Sequence, residues 1–270
     1  MKATAEGIRI YAAVTTGLVN EAVARHDCYP TAAAALGRMM TGALLLAANL
    51  KNEECITVKF EGDGPLGPVV ADASSTGFVR GYVQNPHADL PLTAGKLSVG
   101  MGVGAGILSV TRFTGLREPV TGNCEIVTGE IAEDLTQYLF VSEQTPSSIG
   151  LGVLVDKELT VPASGGFFVQ PLPDASDEVL DRLEENLKKA EPVSRMVERG
   201  LDAKGIIAEV LAGFSINYLE TNDLAFKCQC SKERLEDVLL SLGEKDLASL
   251  CEDGKAEVCC HFCGEKYHFS

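Results

Sequence analysis

The chain has 270 residues, 46% of them hydrophobic, and a net charge of −15. Such a length and apolar content exclude a disordered chain and predict one or two domains with a substantial core. The acidity argues against nucleic acids and anionic membranes as partners, and no basic half hides behind the average, since the last hundred residues carry −9.

The N-terminal "MKATAEGIRIYAAV" lacks the continuous apolar run of a secretory signal, which predicts a cytoplasmic protein. Residues 7–15 read as a strand and 17–27 as a helix ending near Pro30. Residues 31–50, "TAAAALGRMMTGALLLAANL", are long and apolar enough to raise a membrane span. Arg38 inside the run, and its Ala and Gly content, point instead to a buried core helix. Residues 55–86 read as three strands parted by Gly, Asp, Pro and Ser turns. One or two glycine-interrupted strands follow over 96–113, then a short strand at 122–129. A helix running into a strand is predicted over 130–144, and 148–156 with 165–173 form a hairpin. Helices and strands mix without βαβ repeats, so the fold class is α+β.

After Pro173 the pattern changes. Residues 174–191 place Leu180, Leu183 and Leu187 at three- and four-residue spacing, an amphipathic helix capped by Asp174 or Ser176. Pro192 opens a further piece, and 202–214 presents Ile206, Ile207, Val210 and Leu211. Each stripe needs a covering surface. From Leu219 the chain reads as a strand ("DLAFKCQC"), a helix over 231–243 with Ser231 as N-cap and Gly243 as stop, a helix over 244–254, and a strand–knuckle–strand end. The expected organisation is a core at 1–173, a helical linker at 174–218 and a small module at 219–270.

Six of the nine cysteines fall in the last 43 residues. Cys228 and Cys230 form C-x-C, and Cys260 and Cys263 form C-x-x-C followed by Gly264. In a reducing compartment such clusters mean metal or redox chemistry more often than structural disulfides. Two close pairs on separate turns suit a tetrahedral thiolate site, and zinc fits best. One reading is a purely structural staple: a module of some 50 residues buries too little to fold alone, and zinc can supply on the order of 10–16 kcal/mol. A second is a redox switch, because zinc thiolates can be oxidised, the metal lost, the module unfolded and apolar stripes uncovered.

The chain closely resembles the heat shock protein 33 family of redox-regulated chaperones. The resemblance rests on the cysteine spacing and on "GDGPLG" (62–67), "VRGYVQNP" (79–86), "SEQTPSSIGLGVLVD" (142–156) and "GGFFVQPLPDA" (165–175), and covers essentially the whole length. It implies an ATP-independent holdase rather than an enzyme, inactive when reduced and zinc-bound. It implies zinc on Cys228, Cys230, Cys260 and Cys263, and, after oxidation, disulfides Cys228–Cys230 and Cys260–Cys263. Zinc loss, binding of unfolding client proteins and a homodimer in the active state follow from the same resemblance. Family members commonly continue into a further acidic helix beyond the position of Ser270.

The remaining candidates receive bland readings. Cys28, Cys55 and Cys124 are expected as small buried hydrophobes. Cys259 is expected on the opposite strand face from Cys260, as a core residue, and Cys251 as helix packing. His261 and His268 lie near the knuckle but four sulfurs suffice. His26 and His87 have no evident partner. The glycines at 100, 102, 104 and 106 lack the Lys-Ser/Thr of a phosphate loop and read as flexible strand or turn. Arg80 is expected to pair with a core carboxylate. Two other functions compete: a thiol–disulfide oxidoreductase, opposed by a C-x-x-C that does not open a helix, and a zinc-knuckle nucleic-acid binder, opposed by charge.

Overall fold

A computed structural model describes residues 1–51, 54–93, 95–115, 118–240 and 256–269. Two sheets enclose one helix, α2 (Pro30–Ala47). Every α2 residue except Pro30 and Arg38 is buried, which is why the run is apolar on all sides. Its small residues permit close approach: a Cβ on Gly37 would lie 2.8 Å from Val19 and 2.9 Å from Val153, and one on Gly42 2.7 Å from Leu135. No described helix is long and apolar enough to cross a membrane.

The first sheet has the order β10-β1-β2-β9-β8, from β1 (Lys2–Ala5), β2 (Ile8–Val14), β8 (Ser148–Leu154), β9 (Ala163–Pro171) and β10 (Asn217–Tyr218). β1 was not expected; it pairs with β2 through a turn at Glu6 and Gly7, whose φ angles of 47° and 81° suit a tight hairpin. Tyr11, Ala13 and Phe168 face α2. Ile8, Ile10, Ala12, Phe167 and Val169 face the other way, onto α5 (Asp177–Lys189), α6 (Val193–Glu198) and α7 (Ala203–Val210). The sheet is thus covered on both faces, and its two central strands read as apolar runs rather than clean alternation. The stripes of the 174–214 region find their surface here: Leu183, Ile206, Ile207, Val210 and Leu211 join this second core with Leu187 at its margin, whereas the expected Leu180 stays outside it, half-buried, and Val179 takes the inward position instead. Ser176 stands at the N-cap of α5 but its side chain makes no cap bond, and Asp202 caps α7 by accepting from Gly205.

The second sheet has the order β11-β5-β4-β3-β6-β7, from β3 (Cys55–Gly62), β4 (Val69–Ser74), β5 (Phe78–Val83), β6 (Gly106–Phe113), β7 (Val120–Ile126) and β11 (Ala225–Phe226). Ile56, Val58, Phe60, Ala71, Val79 and Val110 turn inward to α2; Thr57, Asp72, Arg80 and Tyr82 lie on the outer face. Two expectations are corrected. The first half of 96–113 is a short helix, α3 (Val99–Val103), because the backbone there packs against the 62–67 turn: Ala105 N–H donates to Asp63 at 2.8 Å and a Cβ on Gly64 would lie 2.3 Å from the Gly102 carbonyl. These glycines serve backbone approach rather than phosphate binding. The 130–144 segment is helix throughout, as α4 (Ile131–Glu143), ending at Gln144 in the left-handed region at φ 51°. α1 (Thr16–His26) and the β8–β9 hairpin are as expected; Pro30 opens α2 at its first turn.

The C-terminal part comprises β11, α8 (Lys232–Leu240) and the hairpin of β12 (Ala256–Cys259) and β13 (Lys266–Phe269). The strand foreseen around 223–230 shrinks to β11, which joins β5 in parallel. Ser231 caps α8, accepting from Arg234 N–H at 3.3 Å. The stop at Gly243, the 244–254 helix and Cys251 lie outside the described residues.

Candidate metal centre

Cys228 and Cys230 follow β11 directly, and Cys260 and Cys263 occupy the turn between β12 and β13. That turn closes through Gly264 N–H on the Cys260 carbonyl at 2.8 Å. Gly264 has φ 70°, and a Cβ there would lie 2.9 Å from the Arg25 carbonyl, so both conformation and space demand glycine.

The four Sγ atoms lie within 4.8 Å of one another. Cys228 and Cys260 are 3.7 Å apart, Cys230 and Cys263 3.3 Å. A tetrahedron with metal–sulfur bonds of about 2.3 Å has edges of about 3.8 Å. Donor set and spacing therefore fit a thiophilic tetrahedral ion. The tight S···S contacts run between the motifs, so proximity alone selects no disulfide pairing. Among the described residues no His or carboxylate joins this group.

The surroundings temper the charge four thiolates would gather. Tyr267 Oη donates to Cys230 Sγ at 3.2 Å, and Arg80 Nη1 donates to Cys228 Sγ at 3.7 Å. Burial alone would push the Cys228 thiol up; hydrogen bonds from the Cys230 backbone, Arg80 and the neighbouring cysteines outweigh it and bring Cys228 down to about 7. Burial pushes Cys260 and Cys263 up.

The module has a defined seat on the core. His26 Nε2 lies 3.1 Å from the Phe262 carbonyl, and Arg25 reaches Glu265 at 3.9 Å. Tyr82 meets Phe262 edge-on at 5.3 Å between ring centres, and His261 at 5.8 Å. Arg80 pairs with Asp72 at 2.8 Å, the expected core carboxylate. His26 and Tyr82 were missed as functional residues. The available signal was the alternation in "VRGYVQNP", which puts Arg80 and Tyr82 on one strand face.

The other cysteines separate by burial. Cys28 is buried and burial pushes its thiol up to about 12; Cys124 is half-buried and also raised by burial. Cys55 is half-buried on the outer sheet face. Cys259 stays outside the sulfur group but is exposed, not a core residue. A two-stranded hairpin has one covered face, and Cys259 sits on the other. His261 and His268 are exposed; His87 pairs with Asp27 at 3.0 Å.

A family model described as Hsp33 protein matches residues 1–270. The chain belongs to the Hsp33 family. The 33 kDa chaperonin of Desulforamulus reducens is 49% identical over 97% of this chain and 90% of its own length. That of Bacillus velezensis is 50% identical over 97% and 91% respectively. The crystal structure of the 33 kDa chaperonin (heat shock protein 33 homologue) of Thermotoga maritima superposes with a TM-score of 0.92 at 36% identity, covering 98% of this chain and 91% of that one. Hsp33 membership makes the chain a chaperone, and its C-terminal cysteine cluster fits a redox switch.

Proposed function

We propose that this Hsp33 protein is an ATP-independent holdase of the cytoplasm whose switch is the four-cysteine module. The observation that carries the reading is the convergence of Cys228, Cys230, Cys260 and Cys263 in a small module seated on the core. The four are assigned as ligands of one zinc ion in the reduced state. Bound there, zinc ties the two cysteine motifs into one fold that the module's own apolar surface is too small to hold.

Oxidation by a peroxide pairs Cys228 with Cys230 and Cys260 with Cys263. The four sulfurs then no longer serve as thiolate donors and the module loses its staple. β11 leaves β5 and the β12–β13 turn leaves Tyr82, uncovering Tyr82, Phe226 and Leu224. The connection at 219–224 also carries β10 at the edge of the first sheet. Freed there, α5–α7 can lift from Ile8, Ile10, Phe167 and Val169. Unfolding client proteins bind such apolar surface, and the active form is a homodimer. The same acidity that keeps nucleic acid and membrane away suits a protein that must stay soluble with apolar surface exposed.

The C-x-x-C lies in a hairpin turn rather than at a helix N-terminus, which favours a switch over a thiol–disulfide oxidoreductase. The test is zinc stoichiometry before and after hydrogen peroxide at raised temperature, with aggregation of a thermally unfolding client followed in the same samples. Loss of one zinc together with gain of aggregation suppression, both reversed by reductant and zinc, is the expected result. Zinc retained with no gain sinks the reading.

A further inference from the structure

Among the described residues, Arg80 is the core side chain that donates a hydrogen bond to one of the four sulfurs, and its guanidinium holds three partners at once. Nε and Nη2 bind Asp72 Oδ2 at 3.0 and 2.8 Å. Nη1 donates to Cys228 Sγ at 3.7 Å. Its Cζ lies over the Phe262 ring, 4.1 Å from the ring centre. Asp72 stands directly opposite Arg80 across β4 and β5 and is itself fixed by Thr57 Oγ1 at 2.7 Å. The core therefore aims the guanidinium before the module arrives. The Arg80 and Asp72 side chains are 27% and 21% exposed, so solvent screens the pair only in part. A planar fork can bind a carboxylate along its edge and an aromatic ring on its face together, which an ammonium cannot.

We propose that Arg80 is the positioning residue that latches the cysteine module to the core and transmits its oxidation to β5. The inference rests on the redox-switch reading above and gives that switch its mechanical connection. Cys228 belongs to one cysteine motif and Phe262 lies inside the other, so a single side chain spans both. Hydrogen peroxide and two protons from solvent take two thiolates to one disulfide and two waters. The S–S bond forms, the O–O bond breaks, the solvent protons end in water, and two electrons pass from sulfur to oxygen. The neutral disulfide is a poor acceptor, so Arg80 keeps Asp72 and loses Cys228. Refolding of the knuckle around a Cys260–Cys263 bond takes Phe262 off the guanidinium. Both latch contacts on the module side disappear through the chemistry that removes the metal donors, and β11 is then left with its short parallel pairing to β5, in which the Ala225 and Lys227 N–H groups donate to the Gly77 and Val79 carbonyls.

The experiment uses the reduced, zinc-loaded full chain with Arg80→Met, which keeps the stem and drops the charge, and Arg80→Lys, which keeps the charge and drops the plane. Zinc content, amide exchange at Ala225 and Lys227, and the rate of zinc loss under hydrogen peroxide are read together. Arg80→Met is expected to bind one zinc, exchange both amides about tenfold faster or more, and lose zinc faster by a similar factor, because charge-assisted contacts are the stronger class. Arg80→Lys recovers only part. Wild-type exchange and wild-type zinc loss in zinc-loaded Arg80→Met overturn the latch. Should Arg80→Met not fold, Phe262→Leu removes the stacking partner from the module side and must speed the same two amides; no change there also overturns the latch. In a double-mutant cycle, strictly additive effects of Arg80→Lys and Phe262→Leu do the same. A wild-type chain that holds no zinc, or keeps it under peroxide, sinks the redox-switch reading instead, while exchange at Ala225 and Lys227 still decides the latch.

Discussion

Replacing Leu183 with alanine tests whether the sheet face beneath the helical segment is what the chaperone offers to clients. α5 is a polar helix with few anchors. Val179 and Leu183 are its buried side chains, and Leu187 and Ala190 pack at the margin of the same cluster. The Lys188–Glu184 and Lys189–Glu185 pairs, at 3.2 and 3.0 Å, are exposed and add about 0.3–0.5 kcal/mol each. A lone helix of this length is marginal in water, so α5 depends on the sheet. Burying a leucine contributes about 1.5–3 kcal/mol, and truncating one in a packed core costs about 2–5 kcal/mol once the cavity is included. The loss is comparable to what Val179 and Leu183 supply together, while α2 and the six-stranded sheet are untouched. In reducing buffer with zinc bound, α5 amides should exchange about thirtyfold faster or more, the factor that about 2 kcal/mol corresponds to. The variant should also suppress aggregation of a thermally unfolding client without oxidant, followed by light scattering. Faster exchange with no gain in holding would show that clients do not use this face. Unchanged exchange would show that the anchoring of α5 lies elsewhere.

Chelation of the metal should strip protection from β11, β12 and β13 while the core keeps its cooperative thermal transition; loss of both together by amide exchange would refute the independence of the module's staple. The Cys28 thiol, held to about 12 by burial, should resist alkylation at pH 9 in the native state while exposed Cys259 reacts. Since an unfolded cysteine titrates near about 8.5, the native state holds its proton longer, so the stability this thiol contributes is whole below that pH and falls as pH rises above it. Urea melts of Cys28→Ala should accordingly show a flatter alkaline limb than wild type. Asp134, buried at the start of α4, accepts backbone N–H bonds from Val127, Thr128 and Gly129 at 2.8, 3.1 and 2.7 Å. Asp134→Ala should cost about 3 kcal/mol or more and lower Tm by about 6–12 °C with zinc content unchanged; a smaller shift in calorimetry would mean water replaces the carboxylate.

The α+β class, the core helix at 31–50, the three strands of 55–86 and the stripes of 174–214 were legible because each rests on local periodicity or turn chemistry. The four cysteines were legible because thiolate chemistry and spacing are properties of the chain itself. Elements decided by distant partners were not. β1 and β10 are short strands that exist because each has a neighbour to pair with. α3 is helical rather than extended because Gly102 and Gly104 must fit against the 62–67 turn.

The sequence by itself determined which residues are apolar in which period, which backbone positions need glycine, and that four thiols can meet a soft metal. Only the tertiary structure decided what covers what. The linker-region helices cover the outer face of the first sheet, and the module covers α1 and β5. Arg80 and His26 acquire their roles from that seat, because a side chain's partner across 148 or 236 residues is set by packing. Burial and pairing depend on which surfaces meet in space, and no local pattern in the chain encodes that meeting.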